Sequence, residues 1–108
     1  MLRLTFTSKI ENKEPADKLS SARPGQRVWA HLKVRNRSDW THTLKLAFSI
    51  NGEQRTTVDL DVEPSWSFRT WAYVTLRPTD VTGAVTLRVT DAEEGSEIVS
   101  ARLPIQRP

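Results

Sequence analysis

Three polar side chains near the middle of the chain have the residue types of a hydrolytic site. Ser38, Asp39 and His42 lie close together in the sequence. A nucleophilic triad needs such groups to converge on a substrate, whereas a Ser-Asp pair after a strand more often closes a turn. The two histidines of the chain are fewer than the ligands of a zinc site. We therefore predict no catalytic residues, no metal, no other cofactor and no enzymatic activity.

A second candidate site consists of acidic residues. Asp59, Asp61 and Glu63 alternate along one predicted strand, so their carboxylates share a face. Three carboxylates can bind Ca²⁺ where backbone carbonyls join them, but the loop that typifies calcium sites is missing. An acidic strand face that pairs with basic residues across the sheet is therefore the favoured interpretation.

The aromatic residues give the strongest indication of function. Several rings occupy strand positions that face away from the predicted core, and exposed rings beside polar side chains can stack on sugars or clamp a peptide. A register slip of one residue would bury these rings instead, and the long segment Lys9–Gly25 could cover them. The sequence leaves that alternative open. The predicted ligand-binding residues are Trp29, Lys33, Arg69, Trp71 and Tyr73.

The elements that must position these residues are β-strands. In Arg27–Arg35, apolar residues alternate with basic and aromatic ones, which is typical of a half-buried strand. Asn51-Gly52 predicts a tight hairpin turn of type I′. The predicted strands cover residues 2–7, 27–35, 42–50, 54–62, 66–76, 84–90 and 97–104.

This pattern, with frequent turns and no helical periodicity, predicts an all-β fold: an immunoglobulin-like antiparallel β-sandwich of about seven strands. With 108 residues, we expect one domain over residues 1–108. The second and fifth strands usually share a sheet in this fold, which would merge the outer faces that carry Trp29 and Trp71.

The core is predicted from the inward-facing rows of these strands. The chain has no cysteine, so the disulfide of antibody domains cannot form, and Trp40 or Trp66 is expected to fill its place. The predicted core residues are Leu32, Val34, Leu46, Phe48, Val58, Leu60, Val74, Leu87 and Val89.

The opening motif carries a resemblance. It reads Phe6-Thr7-Ser8-x-Ile10-x-x-x-Glu14-Pro15-x-Asp17 and is similar to the start of the bacterial domain-of-unknown-function family 2914. The resemblance implies a small β domain, often appended to a membrane-anchored or envelope protein, and favours a periplasmic or extracellular location. It implies no activity, because the family has none assigned, and fold alone does not determine function.

The charge and composition of the chain indicate which classes of binding partner to expect. The net charge is +3, from sixteen basic and thirteen acidic residues. This mildly basic balance suits an anionic partner, but the intermixed acidic residues oppose a continuous phosphate track, so no nucleic-acid partner is expected. The sequence predicts no membrane span, because no apolar run approaches the length that crosses a bilayer.

Two functional classes fit these observations. The first is a non-catalytic binding module for carbohydrate or envelope polysaccharide, with a glycan as its partner. The alternative is a protein–protein interaction (adaptor) domain of a bacterial envelope protein, which would offer an edge strand or the long loop to a protein partner.

Overall fold

The chain forms strands that pair into two sheets packed face to face. The structure, a computed structural model, describes residues 2–106 and contains no helix among them. Its nine strands are β1 (Leu2–Thr7), β2 (Ile10–Glu11), β3 (Glu14–Pro15), β4 (Arg27–Asn36), β5 (His42–Ile50), β6 (Glu53–Val62), β7 (Ser65–Thr75), β8 (Ala84–Asp91) and β9 (Glu97–Pro104).

The two sheets have the strand orders β1-β4-β7 and β6-β5-β8-β9, while β2 and β3 form a separate hairpin. Every pairing between the named strands is antiparallel. The predicted all-β, antiparallel sandwich is therefore confirmed. The second and fifth of the long strands, β4 and β7, are direct neighbours, as the immunoglobulin-type order predicts.

The residues at the turns explain why the long strands were predicted correctly and why the short β2–β3 hairpin was missed. Each of the seven long strands lies within one residue of its predicted bounds. Asn51 and Gly52 both have positive φ, as a type I′ turn requires. The β2–β3 hairpin was missed because its turn residues, Asn12 and Lys13, also have positive φ, a conformation that lysine rarely adopts.

The predicted core is confirmed. Six of its nine members are almost fully buried, and the other three, Val34, Val58 and Leu60, are partly buried and pack against them. Phe48 is the largest of the fully buried side chains. Alternation predicts burial well here because successive strand residues point to opposite faces of a sheet.

Neither Trp40 nor Trp66 fills the core, so that prediction is wrong: their exposed fractions are 59% and 73%. A bulge explains Trp66. Val34 pairs with Phe68 but Asn36 pairs with Ser65, so two residues of β7 oppose one of β4. Such a bulge interrupts the alternation. Trp66 consequently lies under the guanidinium of Arg35, 4.8 Å from the ring centroid, instead of inside the sandwich.

Candidate functional site

The predicted ligand-binding residues lie on one face of the β1-β4-β7 sheet. In the β4–β7 register, Trp29 is opposite Tyr73, His31 is opposite Trp71, and Lys33 is opposite Arg69. Directly opposed residues share a face, and the alternate residues of both strands point into the core. The five predicted residues therefore share the outer face of this sheet.

The segment Lys9–Gly25 covers the middle of the outer face. Coverage by this segment was one of the alternatives that the sequence left open. The carbonyl oxygen of Lys13, in the β2–β3 turn, accepts a hydrogen bond of 2.8 Å from Nε2 of His31. His31 is only 3% exposed. Tyr73 stays exposed, and Trp29 and Trp71 stay half-buried. The hairpin thus buries the histidine between the aromatic and basic groups of the face but leaves the aromatic rings accessible.

The base of this loop is held by a carboxylate. Oδ1 of Asp17 accepts hydrogen bonds from the Thr7 hydroxyl at 2.7 Å and the Ser8 amide at 2.8 Å, and Oδ2 accepts one from the Ser8 hydroxyl. These bonds, the Ser8 hydroxyl first, lower the pKa of Asp17. The three residues all belong to the opening motif, which therefore encodes the attachment of the hairpin.

On one side of the hairpin, three aromatic rings line an open groove. We call this groove, of about 660 Å³, the aromatic groove; its walls include Trp29, Trp71, Tyr73, Val58, Arg55 and Arg77. It lies where β6 and β7, one edge strand from each sheet, approach each other.

The rings of the groove pack against one another and against neighbouring side chains. The centroids of Trp29 and Tyr73 are 4.8 Å apart at an interplanar angle of 52°. Trp71 is nearly parallel to the buried ring of His31, at 6.4 Å and 11°. The guanidinium of Arg27 lies 4.3 Å from the centroid of Tyr73. Aromatic side chains with few rotatable bonds and packed neighbours can bind a ligand with little loss of conformational entropy.

Sequence reasoning missed the basic wall of the groove. Arg55 has no position of its own in the β5–β6 register, because Phe48 pairs with Thr56 while Ser49 pairs with Gln54. A bulge of this kind redirects one side chain. No hydrophobic pattern signals it, because the residues on either side, Gln54 and Thr56, are both polar.

Arg55 is locked in place by Asp80. Its two terminal nitrogens donate to the two carboxylate oxygens at 2.9 and 2.8 Å, and its Nε donates to Glu53 at 2.6 Å. Asp80 is buried and also accepts the backbone amide of Arg77 at 2.6 Å. The Arg55 hydrogen bonds, above all, lower the pKa of Asp80 to about 2. The Arg77 side chain, by contrast, is 63% exposed and lines the groove.

The other two predicted site residues lie beyond the hairpin. Nη1 of Arg69 donates to Glu14 of β3 at 2.9 Å, and Lys33 is its cross-strand neighbour. The hydrogen bond from Arg69, together with the charge of Lys33, lowers the pKa of Glu14. The outer face therefore carries an aromatic part and a basic part, with the hairpin between them.

The hydrolytic candidates do come together in part. Oγ of Ser38 lies 3.0 Å from Nε2 of His42, but it is also 2.6 Å from Oδ1 of Asn36. The Asn36 amide nitrogen donates to two backbone carbonyls, so Oδ1 is an acceptor, and the carbonyl oxygen of Trp40 is a second acceptor 3.0 Å from Oγ of Ser38. With the hydroxyl proton directed at these acceptors, Nε2 of His42 is the donor to Ser38. These bonds stabilise the turn between β4 and β5.

The acidic strand face is paired across the sheet. Asp61 accepts a hydrogen bond from the Thr43 hydroxyl at 2.9 Å, and Asp59 is opposite Lys45. Across residues 2–106, no three His, Asp or Glu side chains are grouped as metal ligands. A membrane-spanning helix is likewise absent from these residues.

Comparison with known proteins identifies the fold but no family. No protein-family model and no curated protein matches the chain, so the resemblance to family 2914 stays a prediction. Among solved structures, the chain is similar to a β-glucosidase from Listeria innocua in complex with glucose, with a TM-score of 0.53 and 8% identity. The match covers 98% of this chain and 16% of that one. At this identity the likeness shows the fold alone.

Proposed function

We propose that the protein is a non-catalytic binding module that binds carbohydrate, such as an envelope polysaccharide, in the aromatic groove. The observation that carries this proposal is the joint placement of three rings, Trp29, Trp71 and Tyr73, along one open groove. Sugar rings present apolar C–H faces that pack on aromatic surfaces, while their hydroxyls need polar partners. A groove with rings along one wall and arginines on another offers both.

In the proposed site, aromatic residues stack on the sugar rings and basic residues form the polar contacts. Trp71 and Tyr73 contact the apolar faces of sugar units, and Arg77, exposed at the rim, donates to hydroxyl or acidic groups. Lys33 and Arg69 are polar partners for a chain that continues past the hairpin. Lys33 is four residues from Trp29 along β4, or about 13 Å at the usual strand rise. A ligand that reaches both parts is therefore longer than a monosaccharide.

Rigidity supports a binding role. The Arg55–Asp80 pair holds one wall and the His31–Lys13 hydrogen bond holds the hairpin beside the other. A preformed site avoids the entropic cost of ordering side chains when the ligand binds. By contrast, the bonding of Ser38 and His42 described above does not favour a hydrolytic role for the protein.

The direct test is a screen of the purified domain against immobilised glycans and cell-envelope fractions. We expect saturable binding to at least one polysaccharide, accompanied by a change in tryptophan fluorescence, because three of the candidate contacts include indole or phenol rings. Folded protein, verified by circular dichroism, that binds no glycan and no envelope fraction would contradict the proposal.

An adaptor role is the second candidate, and the free edge of β7 favours it. This strand has eleven residues and, within residues 2–106, its one partner strand is β4. An extended peptide could add to that edge through backbone hydrogen bonds while its side chains enter the aromatic groove. Recovery of a specific protein in pull-down, lost when Thr75→Pro removes a backbone donor from the free edge of β7, would support this role if glycan binding is absent.

A further inference from the structure

A row of basic residues crosses the outer face of the three-stranded sheet. Arg3 of β1 is directly opposite Lys33 of β4, which is directly opposite Arg69 of β7. Neighbouring strands lie about 4.8 Å apart, so three cations are aligned across adjacent strands. Like charges in this arrangement destabilise a sheet. An anion bound beside the row would therefore stabilise this arrangement.

The protein itself supplies little compensation. Glu14 of the hairpin forms an ion pair with Arg69 at 2.9 Å. Within residues 2–106, neither Arg3 nor Lys33 forms an ion pair with any carboxylate. Arg35 adds a fourth cation two positions beyond Lys33 and stacks over Trp66. We call Arg3, Lys33, Arg35 and Arg69 the basic row; one carboxylate opposes its four charges.

We propose that the ligand of this module is an acidic polysaccharide, whose carboxylate or sulfate groups are bound by the basic row. This inference rests on the proposed function, because it names the class of glycan that the aromatic groove would bind. A neutral glycan would add no negative charge beside Arg3 and Lys33, which Glu14 offsets only in part. An acidic chain that passes around the hairpin places anionic groups beside both cations and sugar rings against Trp29.

The same cations could bind a nucleic-acid backbone, but the footprint favours a glycan. The row spans only three strands, about 10 Å at the usual spacing, and Glu14 interrupts it on the β7 side. A nucleic-acid surface normally presents a longer continuous basic track. A single-stranded oligonucleotide is therefore included below as a competitor.

Two matched pairs of glycans test the inference. Polygalacturonate is compared with its methyl ester, and dextran sulfate with dextran; within each pair the backbone is kept and the charge removed. We expect at least one acidic member to bind at least tenfold more tightly than its neutral partner. Raising the salt concentration should weaken that binding steeply, because exposed charges are screened.

A double substitution locates the site. Arg3→Gln/Lys33→Gln should weaken binding of the acidic glycan at least tenfold. The matched control, Lys45→Gln/Arg102→Gln, removes the same net charge from strands of the opposite sheet and should keep the affinity. Independently of any ligand, Arg3→Gln/Lys33→Gln should raise Tm by about 1–5 °C, since repulsion across the sheet is relieved.

The outcomes separate this inference from the proposed function. Equal binding of acidic and neutral glycans, unaffected by Arg3→Gln/Lys33→Gln, overturns the acidic class but keeps the carbohydrate module. Binding to no glycan at all overturns both. An oligonucleotide that binds more tightly than every acidic glycan also overturns the inference, as does a control variant that loses as much affinity as Arg3→Gln/Lys33→Gln.

Discussion

The ion pair between Arg55 and Asp80 gives a stability prediction that depends on pH. Asp80 accepts two hydrogen bonds from the guanidinium and one from the backbone amide of Arg77. Asp80→Asn keeps the shape of the side chain but replaces one acceptor oxygen by a donor. We expect a loss of about 2–3 kcal/mol in the free energy of unfolding at pH 7, because charge-assisted hydrogen bonds to a buried group are broken.

The pH dependence follows from the lowered pKa of Asp80. The carboxyl group has a pKa of about 2 in the folded protein and an ordinary value of 3.8. Its stabilising contribution is therefore complete above about pH 4 and is lost as the pH falls towards 2. The difference corresponds to about 1–2 kcal/mol, allowing for water around Arg55.

Thermal and urea unfolding of wild type and Asp80→Asn at pH 7 and pH 2.5 measures this effect. The difference between the two proteins should shrink by about 1–2 kcal/mol at the lower pH. Asp59→Asn, on an exposed strand face, is the matched control and should cost little at either pH. A difference between wild type and Asp80→Asn that is independent of pH would refute the assigned role of the carboxylate.

Three further predictions concern the fold. Leu46→Ala should cost about 2–5 kcal/mol in urea unfolding, because Leu46 is fully buried; a cost near zero would contradict the core assignment. Trp66→Ala should change stability by less than about 1 kcal/mol, since the ring is exposed, and a large loss would place it in the core after all. Lys13→Gly should stabilise by about 0.5–1 kcal/mol, because Lys13 has a φ of 63°; destabilisation would show that the turn is not strained.

The long strands and the core were predictable because one physical rule governs both. Residues alternate between the faces of a strand, so a period of two locates the strand and its buried side at once. Leu46 and Phe48 follow this rule without exception. Asn51-Gly52 likewise marks its turn because both residues tolerate positive φ.

Prediction failed where local backbone irregularities override that rule. The bulge opposite Arg35 exposes Trp66, and the bulge near Ser49 redirects Arg55 into the wall of the aromatic groove. The position of a bulge depends on how two distant strands pair, which alternation in one strand does not reveal. The β2–β3 hairpin was missed for a related reason, since a strained Lys13 is held by His31 from another strand.

The placement of the candidate residues on one face of the sheet was also predictable, but the shape of the site was not. The shared face of Trp29, Trp71 and Tyr73 follows from alternation and from the pairing of β4 with β7. The separation of this aromatic part from Lys33 does not, because it depends on where the hairpin folds back over the sheet. Alternation therefore predicts a face, whereas loops and bulges determine which part of it a ligand can reach.

The central claim is that the aromatic groove binds carbohydrate, and a pair of tryptophan substitutions tests it most directly. Calorimetric titration with the tightest glycan from the screen compares Trp71→Ala, inside the groove, with Trp40→Ala, exposed outside it. By analogy with base stacking, one ring contributes about 1–3 kcal/mol. Trp71→Ala, still folded by circular dichroism, should therefore bind about tenfold or more weakly, while Trp40→Ala should bind like wild type. Unchanged binding by folded Trp71→Ala, or an equal loss in Trp40→Ala, would contradict the account.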